Sequence, residues 1–374
     1  MGSWERSRRF WLQGLGATVL AVAYGGRPLA ARSPIAQAAP PADPIEPLPG
    51  PIVRPRSLRR GDTIALVAPA GMVTAADLVE GRRWLESQGF RVQLGRHVFD
   101  RDGYLAGRDR DRAADLNRAF ADPAVAAIIC ARGGWGCARL LPLLDWDLAR
   151  SHPKILLGFS DITALLLAYY GRSNLVTFHG PVIASSWNAF STAAWRQVLV
   201  DGQPMQLANP PTMPHRPIYP GQARGPLVVA NLSVLAAMVG SAYLPSWDGV
   251  ILIVEEVSEP VYRVDRLLSQ LKLAGILDRL AGFIFAQCTR CGVPADRDPT
   301  LSLSRVLQDW IRPLAIPSWQ GFAVGHIPDK LTLPLGVSVE IDANRGTVQL
   351  LEPAVLTDRP TDRPTEDRPT EANP

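Results

Sequence analysis

The sequence predicts an α/β protein of two domains, the first of them built on a parallel, helix-covered sheet. Apolar runs such as Thr63–Ala68 and Ala126–Cys130 alternate with helical patterns such as Ala75–Gln88, and this alternation is typical of βαβ units. At 374 residues with 47% hydrophobic content, the chain is long enough for two cores. A stretch with six prolines, Gln203 to Gln222, lacks helical or strand periodicity and is interpreted as the connection between the domains.

The other elements follow from the same two periodicities. In the first domain we predict a strand at Ile155–Leu157 and helices at Arg112–Phe120 and Ile162–Tyr170. In the second we predict helices at Leu232–Val239, Val264–Leu273 and Leu301–Trp310, and strands at Val250–Val254, Gly282–Ala286, Ser338–Ile341 and Thr347–Leu351. The domains are expected at residues 58–202 and 223–356. A proline-rich linker at 39–57 precedes them, and a disordered tail at 357–374 with repeated Thr-Asp-Arg-Pro follows.

The first 38 residues are predicted to be an export signal. The segment Ser7–Leu12 resembles the twin-arginine motif, and the apolar run Phe10–Tyr24 is too short to span a bilayer. Ala36-Gln37-Ala38 has the small-x-small pattern that signal peptidases cut. We expect cleavage after Ala38, a periplasmic location and no stable membrane span after processing; an uncleaved membrane anchor is the alternative.

The charge of the chain argues against a nucleic-acid partner. The formal net charge is +4, but five arginines and one glutamate within residues 1–38 account for all of it. The remaining chain is therefore near neutral and has no cluster of Lys and Arg. Because a duplex-binding domain needs such a cluster, we expect no nucleic-acid binding.

The cysteines and acidic residues do not predict a metal site or a cofactor. Of Cys130, Cys137, Cys288 and Cys291, only the last two have the C-x-x-C spacing, whereas a zinc site would need two such pairs. We expect all four to be ordinary thiols without function. A metal-dependent amidase would need at least three converging ligands, and apart from Glu255 and Glu256 no His/Asp/Glu cluster in the sequence supports one.

Ser160 is a candidate nucleophile because of where it lies in the predicted fold. The apolar strand Ile155–Leu157 is followed by Gly158-Phe159-Ser160-Asp161 and then by a helix. Such a sharp turn exposes a serine hydroxyl, and the N–H of Asp161 at the helix start can face an oxyanion. The fifth position of G-x-S-x-G is Ile162, however, so a helix-capping serine remains an alternative.

A glycine-rich loop, Ala131–Gly136, directly follows the predicted strand Ala126–Cys130. Its glycines allow a turn that presents backbone N–H groups to an anion. Neither G-x-x-x-x-G-K-[ST] nor G-x-G-x-x-G is present, so a nucleotide-binding loop is disfavoured. We interpret the loop as part of an oxyanion hole or of the substrate site.

Two further segments offer a carboxylate and a base. The strand Ile251–Val254 ends in Glu255 and Glu256, at the carboxyl end where parallel sheets place their sites. His326 follows Gly325 after a short apolar segment. Of the five histidines, only His179 and His326 lie outside segments that we interpret as surface or linker, so these two are the candidate bases.

Taken together, these segments resemble the L,D-carboxypeptidase family, which includes murein tetrapeptide carboxypeptidases and microcin-immunity peptidases. The resemblance covers about residues 58–355. It rests on seven motifs in one order: G-D-T-I-A-L-V-A-P-A-G from Gly61, R-G-G-W-G from Arg132, G-F-S-D from Gly158, T-F-H-G-P from Thr177, I-V-E-E-V-S-E-P-V-Y-R-V-D-R from Ile253, G-H from Gly325 and T-L-P-L-G from Thr332.

The resemblance implies an N-terminal parallel-sheet (Rossmann-like) domain, a smaller C-terminal α/β domain and an active site in the cleft between them. It also implies three sets of site residues: Ser160, Glu255 and His326 as the catalytic triad, the N–H groups of Gly134 and Asp161 as the oxyanion hole, and Arg132, Trp135 and Asn231 as substrate-binding residues. Many relatives carry two glycines before the asparagine where this chain has Val229-Ala230, so we expect the backbone near the substrate to be less open here.

The implied activity is a serine carboxypeptidase that hydrolyses an L,D-peptide bond and releases terminal D-alanine from murein tetrapeptides, without cofactor or metal. The family also implies a homodimer. Two alternatives remain open at this point. A peptidase of the same family could cut peptide–nucleotide conjugates, with Trp135 stacking on the base. An exported solute-binding protein would use Ser160 only as a hydrogen-bond donor to its ligand.

Overall fold

The computed structural model describes residues 50–292 and 300–357. The predicted export signal, most of the linker up to residue 49 and the tail from residue 358 lie outside this part of the chain. Within it, none of the helices is both long and apolar enough to cross a bilayer.

In the described part of the chain, the N-terminal sheet has six strands, in the order β12-β5-β4-β3-β1-β2. These strands are β1 (Thr63–Val67), β2 (Arg91–Leu94), β3 (Val125–Cys130), β4 (Ile155–Gly158), β5 (Thr177–His179) and β12 (Leu333–Leu335). The first five are parallel, while β12 is antiparallel to β5. The helices of this half are α1 (Ala75–Ser87), α2 (Asp109–Ala121), α3 (Trp146–Ser151) and α4 (Thr163–Ser173).

The central strands of this sheet are buried along their whole length. Every residue of β1, β3, β4 and β5 is buried, as expected of parallel strands that are covered on both faces. Helix α4 is buried on almost all sides and contacts α6 and β8 as well as its own sheet. It therefore joins the two halves of the molecule into one core.

The C-terminal sheet has eight strands among the described residues, in the order β6-β14-β13-β8-β9-β10-β11-β7. They are β6 (Gln206–Ala208), β7 (Arg216–Tyr219), β8 (Gln222–Asn231), β9 (Ile251–Val257), β10 (Gly282–Thr289), β11 (Ser318–Gln320), β13 (Ser338–Asp342) and β14 (Thr347–Leu350). Strands β8 to β11 are parallel, with antiparallel strands on either side. The remaining helices are α5 (Ala189–Arg196), α6 (Leu232–Met238), α7 (Val261–Leu273) and α8 (Leu303–Trp310).

The predicted α/β class is confirmed, but the stretch Gln203–Gln222 differs from the structureless connection expected there. It contains β6 and β7 and ends at the first residue of β8. Both short strands lie at sheet edges and pair with residues far along the chain, β6 with β14 and β7 with β11. Edge strands tolerate proline, and Pro217 lies within β7. Strands of three or four residues that form only by pairing with distant segments are too short to show a strand periodicity in the sequence.

The second difference is the return of the chain to the first sheet. After β11 in the C-terminal sheet, the chain passes through His326 and adds β12 to the edge of the N-terminal sheet before it returns as β13. The segment 325–332 therefore bridges the two sheets. This crossing brings a residue from the C-terminal part of the sequence next to the carboxyl end of β4.

The cysteines also differ from expectation. Cys288, in β10, and Cys291 form a disulfide across a turn in which their Cα atoms are 5.3 Å apart, within the range that disulfides require. The prediction of four ordinary thiols is therefore wrong for this pair. Cys130 and Cys137 are free and buried. Burial raises the pKa of both thiols well above the ordinary value, which leaves them inert.

Candidate active site

Ser160 lies on a tight turn between β4 and α4. Its φ is 64°, a left-handed conformation that residues other than glycine seldom adopt. A short 3-10 turn, Ser160–Ile162, leads from it into the helix. The Ser160 side chain makes no capping bond to this helix, and its Oγ lies 3.1 Å from His326 Nε2 instead. Strain of this kind is concentrated at functional turns, and it argues against the helix-cap alternative.

His326 connects Ser160 to a buried carboxylate. Its Nδ1 is 2.8 Å from Glu255 Oε2, and the Glu255 side chain is fully buried. A carboxylate can only accept, so Nδ1–H donates to Glu255 and Nε2 is left to accept the hydroxyl of Ser160. Gly325 has a φ of 116°, and a Cβ there would lie 2.7 Å from Glu255 Oε2. Glycine therefore lets the backbone pass close enough for the contact.

The structure distinguishes the two adjacent glutamates. Glu255 points to His326, whereas Glu256 Oε2 accepts from the N–H and the hydroxyl of Ser233, at 2.8 and 2.6 Å. Burial raises the pKa of Glu256 above the ordinary value, and the bonds from Ser233 partly oppose that rise. Glu256 lines the cleft, so it can face a ligand while Glu255 is engaged with the histidine.

Asn231 ends β8 between these carboxylates. Its Nδ2 donates to Oε1 of Glu255 at 3.1 Å and to Oε1 of Glu256 at 3.2 Å, while its Oδ1 caps α6 by accepting from the N–H of Val234. Asn231 is buried, although it forms part of the cleft wall. Its side chain is thus committed to orienting the glutamates; a contact with substrate remains a prediction.

The glycine-rich loop packs directly on the serine turn. A Cβ on Gly133 would lie 2.7 Å from Ser160 Cβ, so only glycine fits there without displacing the turn. The carboxylate of Asp161 accepts from the N–H of Cys137 at 2.9 Å and ties the end of the loop to the same turn. Burial raises the pKa of Asp161 above the ordinary value. Gly134 lines the cleft beside them.

The cleft around Ser160 has a volume of about 840 Å³. It is lined by residues from both halves of the molecule, among them all eight predicted site residues except Glu255, which lies behind His326. Trp135 is 62% exposed there, and Arg132 is exposed as well. The structure thus brings together nearly everything that the motifs indicated.

His179, the other candidate base, does not reach Ser160. It is buried behind Phe159, at 6.0 Å between ring centroids, and no described residue hydrogen-bonds either ring nitrogen. Burial lowers its pKa to about 4, so its imidazole is neutral at physiological pH.

Sequence reasoning missed Lys330, which lies in the loop after His326 and also lines the cleft. A basic residue in that loop was the available signal. Its buried position depends on contacts with distant residues that no motif marks.

Residues 64–180 match the N-terminal domain of LD-carboxypeptidases, and residues 224–341 match the C-terminal domain. A probable murein peptide carboxypeptidase of Bacillus subtilis (strain 168) is 35% identical over 299 residues, which cover 79% of this chain and 93% of that protein. The muramoyltetrapeptide carboxypeptidase from Oxalobacter formigenes superposes with a TM-score of 0.68 at 30% identity, over 77% of this chain and 97% of that one. MccF in complex with glutamyl sulfamoyl guanosine superposes with a TM-score of 0.75 at 25% identity, over 82% and 100%. The chain therefore belongs to the LD-carboxypeptidase family.

Proposed function

We propose that this chain is a serine-type L,D-carboxypeptidase that releases the terminal D-alanine of murein tetrapeptides. The observation that carries the proposal is the hydrogen-bonded series Ser160–His326–Glu255, with distances of 3.1 and 2.8 Å. A serine, a histidine and a buried carboxylate in this order form the constellation that activates a serine for acyl transfer, whatever the fold.

The geometry supports a two-step hydrolysis. His326 Nε2 takes the hydroxyl proton as Ser160 Oγ attacks the scissile carbonyl carbon, and Glu255 stabilises the imidazolium that forms. The proton then passes to the leaving amine of D-alanine, which leaves an acyl ester on Ser160. Water, deprotonated by His326, hydrolyses the ester. The N–H groups of Gly134 and Asp161 are proposed to bind the oxyanion.

The murein substrate is supported by relatives that carry this activity in their names, such as the murein tetrapeptide carboxypeptidase of Pseudomonas aeruginosa. A murein peptide carries both carboxylates and amines, and the cleft offers partners for both charges. Its cations are Arg132, Arg290 and Lys330, and its acidic residues include Glu256 and Glu259.

We also propose that residues 1–38 direct export to the periplasm and that the enzyme is a homodimer. An exported enzyme would encounter murein in the periplasm. Replacing Arg8 and Arg9 by lysine should keep the protein in the cytoplasmic fraction, and recovery of that variant from the periplasm would contradict the export proposal.

Sedimentation of residues 39–374 should give twice the monomer mass. A monomer mass would contradict the homodimer proposal.

A second candidate substrate is a peptide–nucleotide conjugate. The structural match to MccF bound to glutamyl sulfamoyl guanosine favours it, and the exposed Trp135 could stack on a base. A solute-binding protein is a weaker candidate, because ligand binding alone needs neither the strained Ser160 turn nor a histidine that contacts its hydroxyl.

One experiment separates these possibilities. Residues 39–374, as wild type and as Ser160→Ala, are incubated with the murein tetrapeptide, and D-alanine is followed by mass spectrometry. We expect release by the wild type and a loss of about 10⁴-fold or more in the variant. Release from a conjugate but not from the tetrapeptide would support the second candidate. Hydrolysis of neither substrate would favour a binding protein.

A further inference from the structure

An enzyme that removes only the last residue of a peptide must recognise the free carboxylate at that end. The cleft offers three cations among the described residues: Arg132, Arg290 and Lys330. Arg132 and Arg290 are both exposed, and Arg290 Nε donates to the hydroxyl of Ser258 at 3.2 Å. Exposed cations are strongly hydrated and bind a carboxylate weakly. Lys330 differs from both in its surroundings.

Lys330 is only 6% exposed, and its Nζ lies 4.4 Å from the centroid of the Phe159 ring. Phe159 directly precedes Ser160 in the chain, and its ring packs edge-on against that of His326, with the two centroids 4.9 Å apart. The ammonium group thus lies close to the groups that would attack the substrate. A cation over an aromatic face is stabilised without being neutralised.

Among the described residues, no carboxylate forms an ion pair with Lys330. Glu255 is the acidic residue whose charge favours the ammonium form, but its two oxygens already accept from His326 and Asn231. Burial nevertheless lowers the pKa of Lys330 to about 8. A largely desolvated cation without a counterion gains much when an anionic ligand supplies one.

The loop that carries Lys330 is fastened to the start of α5. The N–H of Lys330 donates to Ser191 Oγ at 3.0 Å, and Ser191 Oγ donates to the carbonyl of Pro328 at 3.2 Å. Asn188 Nδ2 donates to Asp329 Oδ1 at 2.7 Å. These bonds hold the lysine in place before any ligand arrives, which reduces the entropy lost on binding.

We infer that the Lys330 ammonium binds the terminal α-carboxylate of the residue that is cleaved off, and that this contact restricts the enzyme to peptide ends. The inference rests on the proposed carboxypeptidase function and names the group that recognises its substrate. It predicts that replacing the terminal carboxylate of the substrate by a carboxamide removes the part of the binding affinity that Lys330 supplies.

The test compares wild type and Lys330→Met on the murein tetrapeptide and on the same peptide with a terminal carboxamide. We expect Lys330→Met to lower kcat/KM on the free acid by about 10- to 100-fold, mainly through KM, and to affect the carboxamide far less. Arg132→Met and Arg290→Met should not show this selectivity. Lys272→Met, which removes a half-exposed lysine that pairs with Asp278 outside the cleft, should leave both activities unchanged.

Binding supplies a readout that does not depend on turnover. Calorimetry on Ser160→Ala should show tighter binding of the acid than of the carboxamide, and Ser160→Ala/Lys330→Met should bind both alike. Equal losses on both peptides, no loss on either, or selective loss in an arginine variant would overturn the inference. Absence of D-alanine release by the wild type would instead overturn the proposed function.

Discussion

On the N-terminal side of the cleft, Ser160 is placed by its backbone, whereas on the C-terminal side Glu255 is placed by side-chain hydrogen bonds. The φ of 64° at Ser160, the close approach of Gly133 and the helix that follows all act within two segments of the first sheet. Glu255 instead depends on His326 and Asn231, which come from two other segments.

This difference indicates how each side should respond to substitution. A backbone-held group is displaced by added volume and is insensitive to the loss of a neighbouring hydrogen bond. A group held by hydrogen bonds tolerates small changes of volume but loses orientation when one partner is removed. Three predictions test this contrast, and a fourth concerns the pH profile; they are given in order of decreasing expected effect.

Glu255→Gln should lower kcat by about 10³- to 10⁴-fold, because the amide cannot stabilise the imidazolium and permits the wrong histidine tautomer. The variant should still fold, since glutamine has nearly the same shape. Steady-state D-alanine release measures the effect. The adjacent variant Glu256→Gln is the matched control, and an equal loss in that variant would contradict the distinction between the two glutamates.

Gly133→Ala should lower kcat by about 100-fold, because a Cβ 2.7 Å from Ser160 Cβ must displace the serine turn. Gly292→Ala is the matched control, since a Cβ there meets no atom of the described residues within 4 Å. The control should retain full activity. A fully active Gly133→Ala variant would show that the close packing of Gly133 does not fix the serine turn. It would then contradict the description of Ser160 as a backbone-held group.

Asn231→Ala should lower kcat by about 10- to 100-fold through loss of the bond to Glu255, with a smaller effect on KM. The cap of α6 is lost as well, at a cost of about 1 kcal/mol. Ser302→Ala removes a similar cap, that of α8, without a bond to Glu255 and outside the cleft. Its thermal unfolding therefore gives the cost of a lost cap separately from the loss of kcat. A change confined to KM would instead favour direct substrate contact by Asn231.

The smallest effect is expected in the pH profile. Lys330 is charged below its pKa of about 8 and neutral above it, so KM for the free-acid peptide should rise as the pH increases through that value. Its titratable neighbours are Glu255, His179 and His326. The carboxamide peptide and the Lys330→Met variant should lack this rise. A rise of equal size in Lys330→Met would assign the titration to another group.

Most of the regular structure follows from local pattern. The helices expected at Ala75–Gln88 and Val264–Leu273 correspond to α1 and α7, because each buries residues at helical spacing and is followed by a glycine. Strands β6, β7 and β12 could not be predicted, since their three or four residues become strands only by pairing at sheet edges. The disulfide between Cys288 and Cys291 was also not predicted, because the C-x-x-C spacing occurs among free thiols, metal ligands and disulfides alike.

The sequence by itself determined the α/β class, the serine turn after a buried strand and, through ordered motifs, the family. These features depend on neighbouring residues or on a linear order, both of which a sequence displays. The resemblance had already implied Glu255 rather than Glu256 as the triad carboxylate. Only the tertiary structure decided that Asn231 joins the two glutamates and that Lys330 is buried without a counterion among the described residues. The surroundings of Lys330 depend on the segment that crosses between the sheets, and Asn231 reaches the glutamates because β8 pairs with β9. Desolvation and hydrogen-bond geometry arise from that packing and leave no local trace in the sequence.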